Sequence, residues 1–99
     1  MKPVRFLEEA QEEFLEQVAY YEAREKGLGE RFRQAVEAAT ALASAHPKFG
    51  SPWKLRTRRV FLKGFKFAVV YRVESAELVV VAIAHFSRRP TYWRRRRDA

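Results

Sequence analysis

The sequence predicts an α+β fold in which a helical hairpin packs on a small, mostly antiparallel sheet, in the order β-α-α-β-β-β. Three observations predict it. Apolar residues recur at helical spacing through two segments of the N-terminal half, separated only by Gly27-Leu28-Gly29. Three runs rich in β-branched residues occupy the C-terminal half, with short turn signals between them. The 99 residues, read as one domain from 1 to 99, are enough to bury roughly two-thirds of the surface of the unfolded chain.

Lys2 to Leu7 reads as a short strand, with Pro3 near its start and Val4 and Phe6 on one face. From Glu8 to about Arg24, Ala10, Phe14, Val18 and Tyr21 form a helical stripe. Glu9, Glu12, Glu13 and Glu16 fall on the opposite side or its border, early in the helix where the dipole favours acids. Gly27-Leu28-Gly29 ends the helix and permits a tight reversal with positive φ. A second helix from about Gly29 to Ser44 is expected to bury Phe32, Val36, Ala39, Leu42 and Ala43. So short a connection makes the two helices antiparallel.

His46-Pro47 stops the second helix, and Pro47 to Pro52 is a turn-rich connector in which Phe49 and Trp53 are expected to act as hydrophobic plugs. Three strands follow, Thr57 to Leu62, Phe67 to Glu74 and Glu77 to Phe86, turning at Lys63-Gly64 and Ser75-Ala76. Their short connections make an antiparallel meander. In the middle strand Phe67, Val69, Tyr71 and Val73 share one face, and Ala68, Val70 and Arg72 the other. Leu78 to Ile83 lacks polar alternation, as befits a central strand covered on both faces. The partner of the N-terminal strand is not legible. Tyr92 to Ala99 is expected to fray, because its charge opposes compaction.

Charge is unevenly distributed. Residues 1 to 45 hold 6 Lys/Arg against 9 Asp/Glu, net −3, and residues 46 to 99 hold 14 against 3, net +11. Such asymmetry points to a polyanionic partner, nucleic acid or an acidic protein, for the C-terminal half. Ion-pair networks of the kind found in heat-adapted proteins are the plainer alternative. With no cysteine and two histidines, neither a disulfide framework nor a zinc site is expected, and no metal or cofactor is implied. Met1-Lys2-Pro3-Val4-Arg5 lacks the apolar h-region of a signal peptide and no run approaches the ~20 apolar residues of a membrane span, so a cytoplasmic location is expected.

The last predicted strand leads straight into His85, Arg88, Arg89, Tyr92, Trp93 and the run Arg94, Arg95, Arg96, Arg97. Four adjacent guanidinium groups repel one another, so this run calls for a counter-charge. Phosphates or partner carboxylates would serve.

The ordered set Phe65, Tyr71-Arg72, His85, Arg88 or Arg89, Pro90, Tyr92-Trp93 and a following Arg96 or Arg97 resembles the RelE/ParE superfamily of toxins from type II toxin-antitoxin modules. Tyr20-Tyr21-Glu22, Gly27-Leu28-Gly29 with Phe32, and Pro47, Gly50 and Pro52 extend the resemblance over nearly the whole chain. It implies a small, metal-free protein silenced by an antitoxin, with which it would form a hetero-oligomer. RelE-type members cut messenger RNA in the ribosomal A site, whereas ParE-type members bind DNA gyrase without cutting nucleic acid. The helical hairpin is then a candidate surface for gyrase.

On the nuclease branch, a metal-independent enzyme must activate the 2′-OH, stabilise charge on the phosphate and protonate the leaving oxygen. The catalytic candidates are His85 as base or acid, Arg72 and Arg89 on the phosphate, and Tyr92. The binding candidates are Arg58, Arg59, Arg88, Trp93 and Arg94 to Arg97, with the aromatic rings available for stacking. Several have a structural alternative: His85 as a hydrogen-bonded strand-end residue, Tyr92 and Trp93 as packing, and Arg72 as the partner of Glu74, Glu77 or a glutamate of the first helix. RelE-type members often carry a basic residue three positions before the tyrosine that corresponds to Tyr71, and here that position is Ala68. The pattern therefore favours the ParE or plasmid-stabilisation branch. A plain basic nucleic-acid-binding module is a third reading, although no helix-turn-helix, RRM or KH signature is present.

Overall fold

Local pattern and turn chemistry produce the expected elements, here seen in a computed structural model that describes residues 1–96. Strand β1 (Val4–Phe6) leads into helix α1 (Glu8–Arg24), which is followed by α2 (Leu28–Ala45). Then come a two-residue strand β2 (Ser51–Pro52), a 3₁₀ turn (Lys54–Arg56), and strands β3 (Arg58–Phe61), β4 (Phe67–Val73) and β5 (Leu78–His85). The sheet order is β1-β5-β4-β3-β2. β3, β4 and β5 form the predicted meander, β2 is added from the connector, and β1 pairs parallel to β5.

The helices cover one face of this sheet. Phe32, Val36, Ala39 and Ala43 of α2 join Val69, Tyr71, Leu78 and Val80 in the core. Around Phe32 gather Phe14, Tyr21, Phe65 and Phe67, their ring centres 5.1 to 6.4 Å from it. Leu42, expected in the buried stripe, is 38% exposed. It lies near the end of α2, where the apolar seam narrows to small alanines.

The two helices are in close contact at Gly29. A Cβ there would stand 2.5 Å from the carbonyl oxygen of Val18, so only glycine allows the approach. Gly27 supplies the positive φ of the reversal, +88°. The Glu22 carboxylate accepts hydrogen bonds from the N–H groups of Gly27 (2.9 Å) and Gly29 (3.0 Å), capping α2 from α1.

Tyr71 pins the connector. Its buried hydroxyl donates to the Pro47 carbonyl (2.8 Å) and accepts from the Gly50 N–H (2.9 Å). Arg58 completes the clamp by donating to the carbonyls of Gly50 (2.7 Å) and Lys48 (3.2 Å). The loop is held by these bonds, and Phe49, expected as a plug, points outward at 55% exposure.

β1 accompanies β5 only from Leu78 to Val80. Beyond that point, side chains satisfy the exposed backbone of β5. Ile83 N–H donates to Glu13 of α1 (3.0 Å), and the Val81 carbonyl accepts from Arg96 (3.0 Å). The chain from Tyr92 to Arg96, expected to fray, instead folds back on the body of the protein, and Trp93 is only 4% exposed. A carboxylate and an apolar seat offset the repulsion that led to the contrary expectation. Arg97, Asp98 and Ala99 lie outside the described residues.

Candidate functional site

The face of the sheet turned away from the helices carries the site. Register pairs Phe61 with Ala68 and Ala68 with Ala84, and likewise Arg59 with Val70 and Val70 with Ala82. These side chains therefore share one face, while the neighbouring Phe67 and Val69 point to the helices. Three alanines leave the centre of this face shallow. Trp53 and Arg59 rise on one side and the segment Arg88 to Trp93 on the other, enclosing a cleft of about 180 Å³ whose floor includes Ala68, Val70 and Ala84.

Arg59 sits over the ring of Trp53, its guanidinium carbon 3.3 Å from the ring centre and 4.8 Å from that of Phe61. The aromatic faces hold the cation electrostatically. Its Nε is buried without a hydrogen-bond partner. Across the cleft the Arg88 guanidinium stacks 3.8 Å from the centre of the Tyr92 ring. Arg89, Arg94 and Arg95 are exposed, and together with Arg88 they surround a second recess of about 440 Å³ beside Thr91.

His85, the partner of Phe67 across β4 and β5, stands at the edge of the cleft with its ring turned to the helix side, edge-on to Phe67 with centres 4.9 Å apart. Its Nδ1 accepts from the Ser87 N–H (2.9 Å) and lies 2.8 Å from the Ser87 hydroxyl. A backbone donor at Nδ1 assigns the ring hydrogen of the neutral imidazole to Nε2. Tyr92 turns its hydroxyl away, donating to Glu13 at 2.7 Å. Burial raises its pKa well above the ordinary phenol value, and the hydrogen bond and negative charge of Glu13 raise it further, against the opposing charges of Arg96 and Arg88.

Arg96 meets the same carboxylate in a two-pronged pair, 2.8 and 2.7 Å, with both side chains largely buried. It is therefore withdrawn from the exposed arginine run, whose described members are Arg94 and Arg95. Arg97 lies outside the described residues.

The four catalytic candidates do not converge. His85 and Arg89 line the cleft and Tyr92 forms its wall. Arg72, however, is paired with Val79 whereas His85 is paired with Phe67, which places it five residues along β4, about 17 Å away. There it engages Glu74 at 2.7 Å. Among the binding candidates, Arg59, Arg88 and Trp93 reach the cleft. Arg58 points to the other face and is occupied by the connector carbonyls.

Two residues of the site escape sequence reasoning. Glu13, placed by its spacing opposite the apolar stripe or on its border, anchors the basic tail, and that border position is the only trace of this. Trp53, read as a plug, is the platform for Arg59. Among the described residues no group of His, Cys, Asp or Glu is placed to hold a metal ion.

Over residues 4–90 the chain matches a family model described as the ParE toxin of type II toxin-antitoxin systems, parDE. Among solved structures, one described as a chromosomal ParDE toxin-antitoxin system from P. aeruginosa is similar with a TM-score of 0.64. That likeness is at 18% identity and covers 86% of this chain and 96% of that one. At such identity it concerns the fold. A comparison with curated protein sequences gives no match.

Proposed function

This chain belongs to the ParE toxin family of type II toxin-antitoxin systems, and from that premise we propose that it acts by binding DNA gyrase, without cutting nucleic acid, and is neutralised by a cognate antitoxin. The observation that carries the choice of binding over cutting is the floor of the cleft. Ala68 presents a methyl group there, at the position where the RelE-type pattern has a cation. The placement of the remaining groups agrees: Arg72 is at the far end of β4, and the Tyr92 phenol is committed to Glu13.

The antitoxin follows from charge. Arg88, Arg89, Arg94 and Arg95 are exposed on a half-chain of net +11, a suitable dock for an acidic segment that folds on binding. A toxin acting on gyrase works in the cytoplasm. Neither helix among the described residues is long and apolar enough to cross a membrane.

The test is DNA supercoiling by purified gyrase with the chain titrated in. Loss of supercoiling, relieved by the product of an adjoining acidic reading frame, is expected. Unchanged supercoiling at a large excess of the chain overturns the proposal. The competing nuclease reading draws on His85, Arg88 and Arg89 lining one cleft, and messenger RNA cleavage in a translating extract, abolished by His85→Ala, would establish it instead.

A further inference from the structure

At the end of the sheet remote from the arginine cleft, the α2–β2 connector and β4 frame an open recess of about 850 Å³ with Ala45, Pro47, Phe49 and Val73 on its walls. Phe49 and Val73 are 55% and 40% exposed. The mouth carries three cations, Lys2, Lys48 and Arg58. Lys2 donates to the carbonyls of Glu74 and Ser75, both at 2.8 Å, and Arg58 to those of Lys48 and Gly50. Carbonyl acceptors satisfy hydrogen bonds and leave the formal charge in place, and no carboxylate pairs with any of the three among the described residues.

The exposed phenylalanine is also preorganised. Its own N–H donates to the His46 carbonyl (2.8 Å), and the flanking Pro47 and Gly50 are tied to the buried hydroxyl of Tyr71. A side chain held outward on a pinned loop loses little further freedom when a partner covers it. A few large side chains that a partner can cover and desolvate carry most of the binding energy at protein interfaces.

We propose that this recess is a docking site for an acidic peptide segment that inserts one large apolar side chain against Phe49 and Val73 and sets carboxylates on Lys2, Lys48 and Arg58. A peptide supplies both halves of this complement. A nucleic acid supplies the anionic half and leaves the Ala45–Pro47–Val73 wall without an apolar partner. The site is separate from the arginine cleft, so it stands whether or not gyrase is the target.

The experiment measures fluorescence anisotropy of a labelled Glu/Asp-rich peptide with one central leucine, at an ionic strength of about 0.15 M, where charges farther apart than ~8 Å are largely screened. Binding is expected to weaken about tenfold or more in Phe49→Ser and in Lys48→Glu, a loss of the size seen for anchor residues. Lys63→Glu, an exposed cation at the β3–β4 turn and so separated from Val73 by the length of β4, about 20 Å, is expected to leave it within about twofold, since that charge lies beyond the screening length. Both test side chains are exposed, and unchanged thermal melting verifies that the variants fold. Three results overturn the proposal: equal affinity of wild type, Phe49→Ser and Lys48→Glu, equal affinity for a peptide with serine in place of the leucine, or displacement of the peptide from the wild type by oligouridylate in preference to unlabelled peptide. No gyrase enters the assay, so its failure and that of the gyrase reading are distinct.

Discussion

Glu13 receives four donors on its two oxygens: the Ile83 N–H, the Tyr92 hydroxyl and two N–H groups of Arg96. Replacing it by alanine strands a largely buried guanidinium and leaves two polar groups unpartnered. We expect Glu13→Ala to lower stability by about 3 kcal/mol in urea unfolding. Adding Arg96→Met should recover part of that loss, because the orphaned charge is then gone. The neighbouring phenol makes a separate prediction about pH. Tyr92 has a folded pKa raised above its unfolded value of about 10, first by burial and then by Glu13. Its contribution is therefore fully present below pH ~10 and is lost as pH rises through the folded value. The urea midpoint of Tyr92→Phe should lie below that of wild type at pH 8, and the gap should narrow above pH ~10. At this scale the sequence conveys chemistry without company. His85, Arg88 and Trp93 could be named as candidates from their order, whereas nothing in the spacing of Glu13 indicates a partner 83 positions away.

The helical hairpin was legible because its signals are local. Apolar spacing marks each helix and the two glycines mark the reversal, yet the glycines differ in what they do. Gly29→Ala forces a Cβ into the Val18 carbonyl at 2.5 Å and is expected to cost about 1–3 kcal/mol. Gly27→Ala meets no atom within 4 Å and bears only the left-handed backbone penalty, about 1–2 kcal/mol. Thermal melts of the two variants should rank Gly29→Ala as the less stable. The continuous apolar run of β5 was likewise read correctly as a strand covered on both faces. Its second cover, however, is the folded-back tail with Trp93, and that could not be read. Thr91, a β-branched residue at φ +68°, turns the chain in a conformation such residues disfavour. Backbone bonds from Tyr92 to Arg89 (3.1 Å) and from Arg94 to Thr91 (2.9 Å) hold that turn.

For the molecule as a whole, the two halves of opposite net charge are joined where the fold brings them together. One acid of α1 meets one arginine of the tail, and the other exposed arginines of the cleft are left facing outward. If Arg88 and Arg89 carry the contact with the target, changing both to serine should raise the concentration that inhibits supercoiling by about tenfold or more, with the circular dichroism spectrum unchanged. A spectrum preserved together with undiminished inhibition would move the contact to another surface, the helical hairpin first.

Periodicity, turn residues and charge by themselves determined the α+β class, the element order, the meander and the concentration of cations after β5, because each depends on neighbours within a few positions in the chain. Strand order, the parallel pairing of β1 with β5 and the path of the tail were decided by tertiary structure, because they depend on which distant surfaces bury one another. Those choices place Arg59 and Arg88 on opposite walls of one cleft. They also send Arg72 to the far end of the sheet, turn Arg58 to the other face and tie Arg96 to Glu13. Side-chain type is local and side-chain company is not, which is why the candidate residues could be listed before their site could be drawn.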